Sequence, residues 1–175
     1  MNVLKSENIC LRALEPEDID ILYQWENDTS VWGVSHTLLP FSRHVLRQFI
    51  EEQAKEIYQT LQARFVMEAV GVNRPVGVID LFDFDPYHLR AGVGILVYDQ
   101  EDRRKGYASE ALRLLTRYAF EILHLHQLYC NIPASNTGSI QLFESNGFRR
   151  CGEKKDWIRR TDGWEDEYMY QLIKA

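Results

Sequence analysis

The fold of this 175-residue chain is decided by residues 93–122, VGILVYDQEDRRKGYASEALRLLTRYAFEI. Residues 93–97 form a short apolar run that is typical of a buried strand. An acidic loop, 99–102, separates this strand from a basic segment, 103–108 (Arg-Arg-Lys-Gly-Tyr-Ala). Apolar residues then recur at helical spacing as far as Ile122, which predicts one long amphipathic helix.

The start of the predicted helix has the features of a phosphate-binding site. The first N–H groups of a helix have no intrahelical partner, and the helix dipole adds partial positive charge there. Gly106 lacks the Cβ that would keep the backbone away from an anion. Arg103, Arg104 and Lys105 add full positive charges that can pair with phosphate groups. The segment therefore predicts a binding site for a phosphorylated ligand.

Length and composition predict a single domain spanning residues 1–175 with a substantial hydrophobic core. The formal net charge of −6, without a basic stripe outside the central loop, argues against a nucleic-acid partner. No apolar run approaches the ~20 residues of a membrane span, and the N-terminus has no signal-peptide pattern. Cys10, Cys130 and Cys151 lack metal-ligand spacing. We therefore expect a cytoplasmic protein with reduced thiols and without a metal, a membrane segment or a nucleic-acid partner.

The remaining pattern predicts strands and helices on both sides of the central unit. The segment 128–132 is apolar enough for a strand, so strand, crossover helix and strand form a parallel pair with a right-handed connection. Asn136 is the expected N-cap of a short helix that stops at Gly147. The acidic residues 165–167 are expected at a solvated strand end. Further strands are predicted at 9–14, 64–69, 75–84, 90–97, 148–158 and 165–173, and further helices start at Pro16 and run from Arg43 to near Tyr58.

Four segments together carry the likeness of a known family. Residues 103–108 match the pattern Arg/Gln-x-x-Gly-x-Gly/Ala. Three more segments accompany it in the same order and spacing: 77–81 (Gly-Val-Ile-Asp-Leu), 106–112 (Gly-Tyr-Ala-Ser-Glu-Ala-Leu) and 136–148 (Asn-Thr-Gly-Ser-Ile-Gln-Leu-Phe-Glu-Ser-Asn-Gly-Phe). With these motifs the sequence resembles the GNAT superfamily of N-acetyltransferases over nearly its whole length. Within that superfamily it is most similar to the spermidine/diamine N-acetyltransferases and the ribosomal-protein alanine acetyltransferases.

The resemblance implies an α+β (α/β) fold with a mixed, splayed central sheet of about six to seven strands flanked by about four helices. It also implies that the co-substrate acetyl-CoA lies between the strand that ends at Val97 and the strand at 128–132. Backbone amides of residues 104–108 would wrap the pyrophosphate, and main-chain groups at Leu96 and Val97 would bond the pantetheine. The implied cofactor-binding residues are Leu96, Val97, Arg103, Arg104, Lys105, Gly106, Tyr107, Ala108, Asn136 and Ser139.

Amine acetylation requires a neutral amine, a held thioester carbonyl and a proton for the departing thiolate. Many members of the family use a glutamate on the strand before the signature and a tyrosine in the later helix, but the matching positions here are Val93 and Phe143. Ser139 lies one helical turn before Phe143 and is our candidate for contact with the thiol, because the alanine-acetyltransferase branch has serine there. Asp80, which lies among apolar strand residues, is the candidate base. Attack by an already neutral amine, with water carrying the proton, is the alternative.

These inferences together predict an N-acetyltransferase that moves an acetyl group from acetyl-CoA to a primary amine by direct attack, without an acyl-enzyme. The expected acceptor is a small amine or polyamine, or a protein N-terminus. The alternative is a CoA-binding protein that has lost catalysis and acts as a sensor or interaction module, as the residues Val93 and Phe143 suggest. For the oligomeric state, a homodimer is the alternative to a monomer.

Overall fold

Seven strands form one open sheet in the computed structural model, which describes residues 3–35 and 37–175. The strands are β1 (Ile9–Arg12), β2 (Ala63–Ala69), β3 (Arg74–Asp85), β4 (Arg90–Val97), β5 (Gln127–Pro133), β6 (Arg149–Arg160) and β7 (Gly163–Ile173). Their order across the sheet is β1-β2-β3-β4-β5-β7-β6. β4 and β5 run parallel, and every other neighbouring pair is antiparallel. The sheet is therefore mixed, as predicted.

In the same residues, two 3₁₀ turns lie at Pro16–Asp18 and Gln100–Asp102. Four α-helices of at least two turns and two single-turn α-helices also accompany the sheet. In chain order they are α1 (Ile19–Glu26), α2 (Trp32–Ser35), α3 (Arg43–Gln53), α4 (Ile57–Thr60), α5 (Tyr107–Glu121) and α6 (Thr137–Ser145). Each of these helices is too short or too polar to span a lipid bilayer. The predicted fold class, a mixed sheet of about six to seven strands with about four helices, is confirmed.

The two faces of the sheet bury two separate hydrophobic cores, because successive side chains of a strand point to opposite faces. The buried stripe of α5 packs on one face, against Ile79 and Leu81 of β3. The core of the other face consists of Leu14, Leu22, Trp25, Leu46, Ile50, Val66 and Val78. Asp80 lies two residues after Val78 on β3, so its side chain is on the same face as α1 and α3.

β4 and β5 separate part-way along their length and leave a cleft between them. They pair over three residues each, ending at Gly92 and Tyr129, whereas β4 continues to Val97 and β5 to Pro133. The ring of Phe82 covers the apex: a Cβ on Gly92 would lie 2.3 Å from this ring, and Tyr129 meets it edge-on at 6.0 Å between centroids. The sheet is therefore splayed beyond this point.

One predicted helix is shorter than its apolar pattern suggests. We expected a helix from Arg43 to near Tyr58, but α3 ends at Gln53 and the single turn α4 follows. Between them, Glu56 has extended dihedral angles (φ −63°, ψ 143°). This break lets Tyr58 meet the ring of Phe84 edge-on at 5.2 Å between centroids. The prediction of one continuous helix was wrong, because the extended backbone at Glu56 is incompatible with an uninterrupted helix.

Candidate active site

The loop before α5 adopts a left-handed backbone conformation that favours glycine. Gly106, the N-cap of α5, has φ +84°, and Arg104 has φ +64°. No described atom lies within 4 Å of a Cβ placed on Gly106. Conformation rather than crowding therefore selects glycine here, since a side chain, above all a β-branched one, is strained at positive φ.

The first turn of α5 presents a row of unpaired backbone donors. The Arg103 N–H donates to the Gln100 carbonyl at 3.2 Å, and the Glu110 N–H donates to the Gly106 carbonyl at 3.0 Å. Between them, the N–H groups of residues 104–109 have no acceptor within the described part of the chain. These donors coincide with the positive end of the α5 dipole. The residues present therefore fit a pyrophosphate group.

The three basic side chains of this loop have different surroundings. Arg103 donates from Nε to the Val97 carbonyl at 3.2 Å, so it ties the loop to the end of β4. Lys105 donates from Nζ to Asp102 Oδ1 at 3.1 Å. Arg104 is exposed. Arg103 and Lys105 would have to break these hydrogen bonds in order to bind a phosphate group. Arg104 is therefore the most available of the three predicted phosphate partners.

Asp102 is a buried carboxylate beneath this loop, and the sequence pattern did not single it out. Its side chain has no exposed surface, and Oδ1 accepts from Arg74 Nη2 at 2.8 Å as well as from Lys105. The hydrogen bond from Arg74 lowers the pKa of Asp102, against the opposing effect of desolvation, and the bond from Lys105 lowers it further. Asp102 therefore links the start of β3 to the loop that carries the unpaired donors.

We expect Asp102→Asn to lower the melting temperature by about 4 °C near neutral pH, because the amide lacks the charge that pairs with Arg74 and Lys105. Folding lowers the pKa of Asp102. Its contribution is therefore present above the unfolded pKa of about 3.9 and is lost as the pH falls through the folded value. Thermal denaturation across this range should show the gap between wild type and variant closing below about pH 4. A gap that stays constant on acidification would contradict this role.

The open edge of β4 turns alternate backbone groups towards the cleft. The Tyr98 N–H donates to the Val76 carbonyl of β3 at 3.2 Å, and bonded pairs alternate with non-bonded pairs in an antiparallel ladder. By this alternation the backbone of Leu96 also points to β3, whereas Ile95 and Val97 point theirs away from β3. The register thus favours Ile95 and Val97, rather than the predicted Leu96, as main-chain partners of a pantetheine arm.

The start of α6 borders the cleft where β5 ends. Asn136 caps α6 as predicted: its Oδ1 accepts the Ser139 N–H at 3.1 Å, so Nδ2 is the group that it can offer a ligand. Ser139 is partly buried.

Phe143, one turn after Ser139, is 3% exposed and packs edge-on against Phe148 at 5.0 Å between centroids. Val93 is also 3% exposed, in the core beneath α5. Neither Val93 nor Phe143 can exchange a proton, so a base and an acid must be sought elsewhere.

On the face of α1 and α3, Asp80 forms a two-pronged ion pair with Arg64 of β2. Arg64 Nε donates to Asp80 Oδ1 at 2.8 Å, and Nη2 donates to Oδ2 at 2.9 Å. Arg64 also pairs with Glu26 at the end of α1 and lies 5.1 Å from the centroid of the Phe49 ring. Burial opposes the charge of Arg64, but Asp80 and Glu26 outweigh burial and raise its pKa. Both oxygens of the predicted base therefore already have a cationic partner, and its role as base stays a prediction.

A cavity of about 180 Å³ lies beside this ion pair. Its walls include Phe49, Gln53, Arg64, Asp80 and Phe82. Because Phe82 also covers the apex of the cleft, the cavity adjoins the place where β4 leaves β5. Carboxylate and aromatic walls suit a primary amine. The cavity is the candidate acceptor site.

The second carboxylate of β3, Asp83, points to a different partner. It lies at an irregularity in the pairing of β3 with β4, has φ +47°, and accepts a hydrogen bond from the Tyr129 hydroxyl at 3.2 Å. Burial, and then the charge of Asp83, raise the pKa of Tyr129 to about 12. Tyr129 is therefore a neutral phenol at the apex of the cleft.

Glu167 belongs to a polar cluster that the sequence did not reveal. We expected residues 165–167 at a solvated strand end, but Glu167 is 4% exposed, so that expectation was wrong for this residue. Its Oε2 accepts from Lys154 Nζ at 2.8 Å, and Lys154 also donates to Asn131 Oδ1 at 3.0 Å. The three side chains join β5, β6 and β7. They brace the strands on the far side of the cleft, and only the strand pairing brings them together.

Known proteins are similar to this chain in sequence and in the arrangement of its elements. A family model described as an acetyltransferase (GNAT) domain matches residues 8–149. The uncharacterized N-acetyltransferase p20 of Bacillus licheniformis is 29% identical over 177 residues, with 99% of this chain and 97% of that protein covered. The spermidine N(1)-acetyltransferase of Escherichia coli (strain K12) is 29% identical over 151 residues, with 85% of this chain and 76% of that protein covered.

A solved structure shows the same fold. It is a spermidine N-acetyltransferase from Vibrio cholerae in complex with CoA and spermine, with a TM-score of 0.85 and 22% identity over 96% of both chains. This likeness confirms the fold, and the family match, which covers most of the chain, confirms the predicted family. The chain belongs to the GNAT acetyltransferase family and is an acetyl-CoA-dependent N-acetyltransferase.

Proposed function

We propose that this enzyme acetylates a primary amine that binds in the cavity beside Asp80, using acetyl-CoA held in the cleft between β4 and β5. One observation carries the proposal: the two strands part after Gly92 and Tyr129, and the unpaired N–H groups of residues 104–109 lie at the end of the loop that follows β4. A cleft open to backbone donors, beside a helix N-terminus, suits a long ligand with a pyrophosphate.

The chain offers partners for the pyrophosphate and for the pantetheine arm of the cofactor. The N–H groups of residues 104–109 and the side chain of Arg104 would hold the pyrophosphate. The edge of β4 at Ile95 and Val97 would bond the pantetheine amides, and Asn136 Nδ2 would contact the arm nearer the thiol. When bound, acetyl-CoA supplies an activated acetyl carbonyl and a thiolate leaving group.

Direct attack needs no protein nucleophile. The lone pair of the amine nitrogen forms the new C–N bond, the C–S bond breaks with its electron pair on sulfur, the thiolate gains a proton and the new ammonium group loses one. The Ser139 hydroxyl would stabilise the departing sulfur. Because both oxygens of Asp80 accept from Arg64, the geometry favours an amine that arrives neutral, with water carrying its proton away, over the predicted abstraction by Asp80.

The acceptor class follows from the charge around the cavity. In the ion-pair cluster beside the cavity, Glu26 and Asp80 place two carboxylates against Arg64, which favours a cationic or neutral amine over an anionic acceptor. The name of the E. coli relative supports a polyamine. Residues 31–50 contain no Asp or Glu, however, and Arg43 lies over the ring of Tyr23 at 4.3 Å from its centroid. The acceptor is therefore a small primary amine, a polyamine or a peptide N-terminus.

A panel of amines tests this function directly. Thiol release from acetyl-CoA would be followed with spermidine, a short diamine, an aminoglycoside and peptides carrying free N-termini, and CoA binding would be measured in parallel by calorimetry. We expect transfer to at least one of them, with the acetylated amine identified by mass spectrometry. Tight CoA binding without transfer to any acceptor would favour the sensor alternative. Absence of CoA binding would contradict both.

Ser139→Ala should lower kcat by roughly 10- to 100-fold, because the thiolate loses a nearby hydroxyl. The CoA dissociation constant should change by much less than kcat, since the bond that caps α6 uses the Ser139 backbone N–H and not its side chain. Ser145→Ala is the matched control: that serine is exposed on the same helix and donates to the Leu142 carbonyl. Equal kcat values for the two variants would remove Ser139 from the mechanism.

Homodimer formation also stays a proposal. The mass of the species in solution, measured by light scattering over a concentration series, tests it. A constant monomer mass would contradict it.

A further inference from the structure

A second concave surface lies on α5, away from the proposed cofactor site. It encloses about 340 Å³, compared with about 180 Å³ beside Asp80. Its lining includes Arg113, Arg117, Phe120 and Glu121 of α5, Asn146 at the end of α6, and Lys174 after β7. At a rise of about 1.5 Å per residue, Phe120 lies about 20 Å along the helix from Gly106. We call this surface the α5 pocket.

Each basic side chain of the α5 pocket donates a hydrogen bond to a neutral acceptor. Arg113 donates from Nη1 to Ser109 Oγ at 3.2 Å, Arg117 from Nη2 to the Val3 carbonyl at 2.6 Å, and Lys174 from Nζ to the Phe120 carbonyl at 2.8 Å. Arg113 and Lys174 make no ion pair with a carboxylate of the described residues. Each therefore keeps its full charge and further N–H donors for a ligand.

The charge of the pocket is opposite to that of the whole protein. The residues that line the pocket include the basic Arg113, Arg117 and Lys174 and the carboxylate Glu121, and Arg113 also interacts electrostatically with Glu110 outside the lining. The chain as a whole carries a formal charge of −6. A concave surface with fixed positive charge concentrates anions, and guanidinium groups bind carboxylate and phosphate with two parallel hydrogen bonds. Phe120 adds an apolar wall. These features suit a small organic anion with one or two negative charges.

Hydrogen bonds connect this pocket to the first turn of α5. Ser109 Oγ accepts from Arg113 and also from Asn146 Nδ2 at 3.1 Å. The backbone N–H of Ser109 is one of the unpaired donors of the proposed pyrophosphate site. An anion in the pocket would draw Arg113 away from Ser109 and add negative charge on the flank of the helix that receives the cofactor.

We infer that the α5 pocket binds a small carboxylate- or phosphate-bearing anion, and that this binding weakens the affinity for CoA. The coupling, though not the binding itself, rests on the proposed function of residues 104–109. The sign is negative because an anion in the pocket would draw the positive charge of Arg113 away from Ser109, whose backbone N–H belongs to the proposed pyrophosphate site. A coupling of about 5-fold in the CoA dissociation constant lies within the usual range for two linked sites.

Calorimetry with succinate and, separately, inorganic phosphate tests the site at constant ionic strength. We expect saturable binding of at least one probe, and the probe that binds identifies the site as one for carboxylates or for phosphates. The double variant Arg113→Gln/Lys174→Gln should weaken that binding by about 10-fold or more, since it removes two charge-assisted partners. Arg149→Gln, at an exposed position of β6 and with the same change in charge as the single variant Arg113→Gln, should leave the binding unchanged. Lys174 also donates to the Phe120 carbonyl near the end of α5, so its loss could affect the fold as well as the pocket. The single variant Arg113→Gln is therefore measured too, and the melting temperature is determined for every variant.

CoA titrations with and without the bound probe separate the remaining outcomes. In the wild type, the probe should raise the CoA dissociation constant by about 5-fold, and this effect should vanish in the double variant. Equal probe binding by the wild type and by the double variant would overturn the site. An undiminished effect on CoA in the double variant would show direct competition at residues 104–109 and would also overturn it. Normal CoA affinity without any probe binding would reject this inference alone and leave the proposed function standing.

Discussion

Gly106→Val is expected to raise the CoA dissociation constant by at least about 100-fold. The residue has φ +84°, where a β-branched side chain is strained by about 1–2 kcal/mol or more, so the loop must shift to relieve the strain. The shift would redirect the N–H groups of residues 104–109. Losing two charge-assisted hydrogen bonds of about 1.5–3 kcal/mol each accounts for the expected loss of affinity.

Gly71→Val is the matched control for this substitution. Gly71 follows β2, has no left-handed φ, and a Cβ placed on it meets no described atom within 4 Å. The control should therefore bind CoA with the dissociation constant of the wild type. The melting temperature and the CoA dissociation constant are measured for both variants. A wild-type dissociation constant for Gly106→Val, in a folded protein, would rule out the pyrophosphate assignment.

The central unit was predictable because its signals lie close together in the sequence. β4 has the predicted bounds, Arg90–Val97, and α5 begins directly after Gly106. The cap at Asn136 and the left-handed Gly147 (φ +89°) after α6 are also local signals, and both are confirmed. The donors of residues 104–109 follow from the helix N-terminus itself, so this half of the candidate site could be predicted without coordinates.

The other half of the site depends on contacts that no local pattern contains. Arg64 joins Glu26 and Asp80 across 38 and 16 residues, and Asp102 joins Arg74 across 28. Residue alternation shows which residues share a face of a strand, but not which partner strand or register they meet. For the same reason the alternation of bonded pairs, which favours Ile95 over Leu96, was not available from the sequence.

Arg64→Leu is expected to destabilise the fold by about 2–3 kcal/mol, which is a fall of about 5–10 °C in melting temperature. The substitution leaves Glu26 and Asp80 close together without their shared cation, and their side chains are only 14% and 24% exposed. The expected loss of stability is smaller than the 3–5 kcal/mol of a fully buried pair because water reaches part of this cluster. The stability of Arg64→Lys should lie between those of the wild type and Arg64→Leu, since an ammonium group keeps the charge but cannot form the two-pronged bond to Asp80. Arg149→Leu, at an exposed position of β6, is the control.

Asp80→Asn separates the structural role of this cluster from a catalytic one. If Asp80 holds Arg64 in place and the amine arrives neutral, the melting temperature should fall while kcat stays within about 10-fold of the wild type, with an unchanged pH profile of kcat/KM. If Asp80 is the base, kcat should instead fall by about 100-fold or more, and the acidic limb of the pH profile should disappear. The two-pronged bond to Arg64 favours the first result, because a carboxylate with both oxygens bonded to a guanidinium group must break that pair before it can accept a proton. A 100-fold loss at unchanged stability would therefore show that Arg64 releases Asp80 when the acceptor binds.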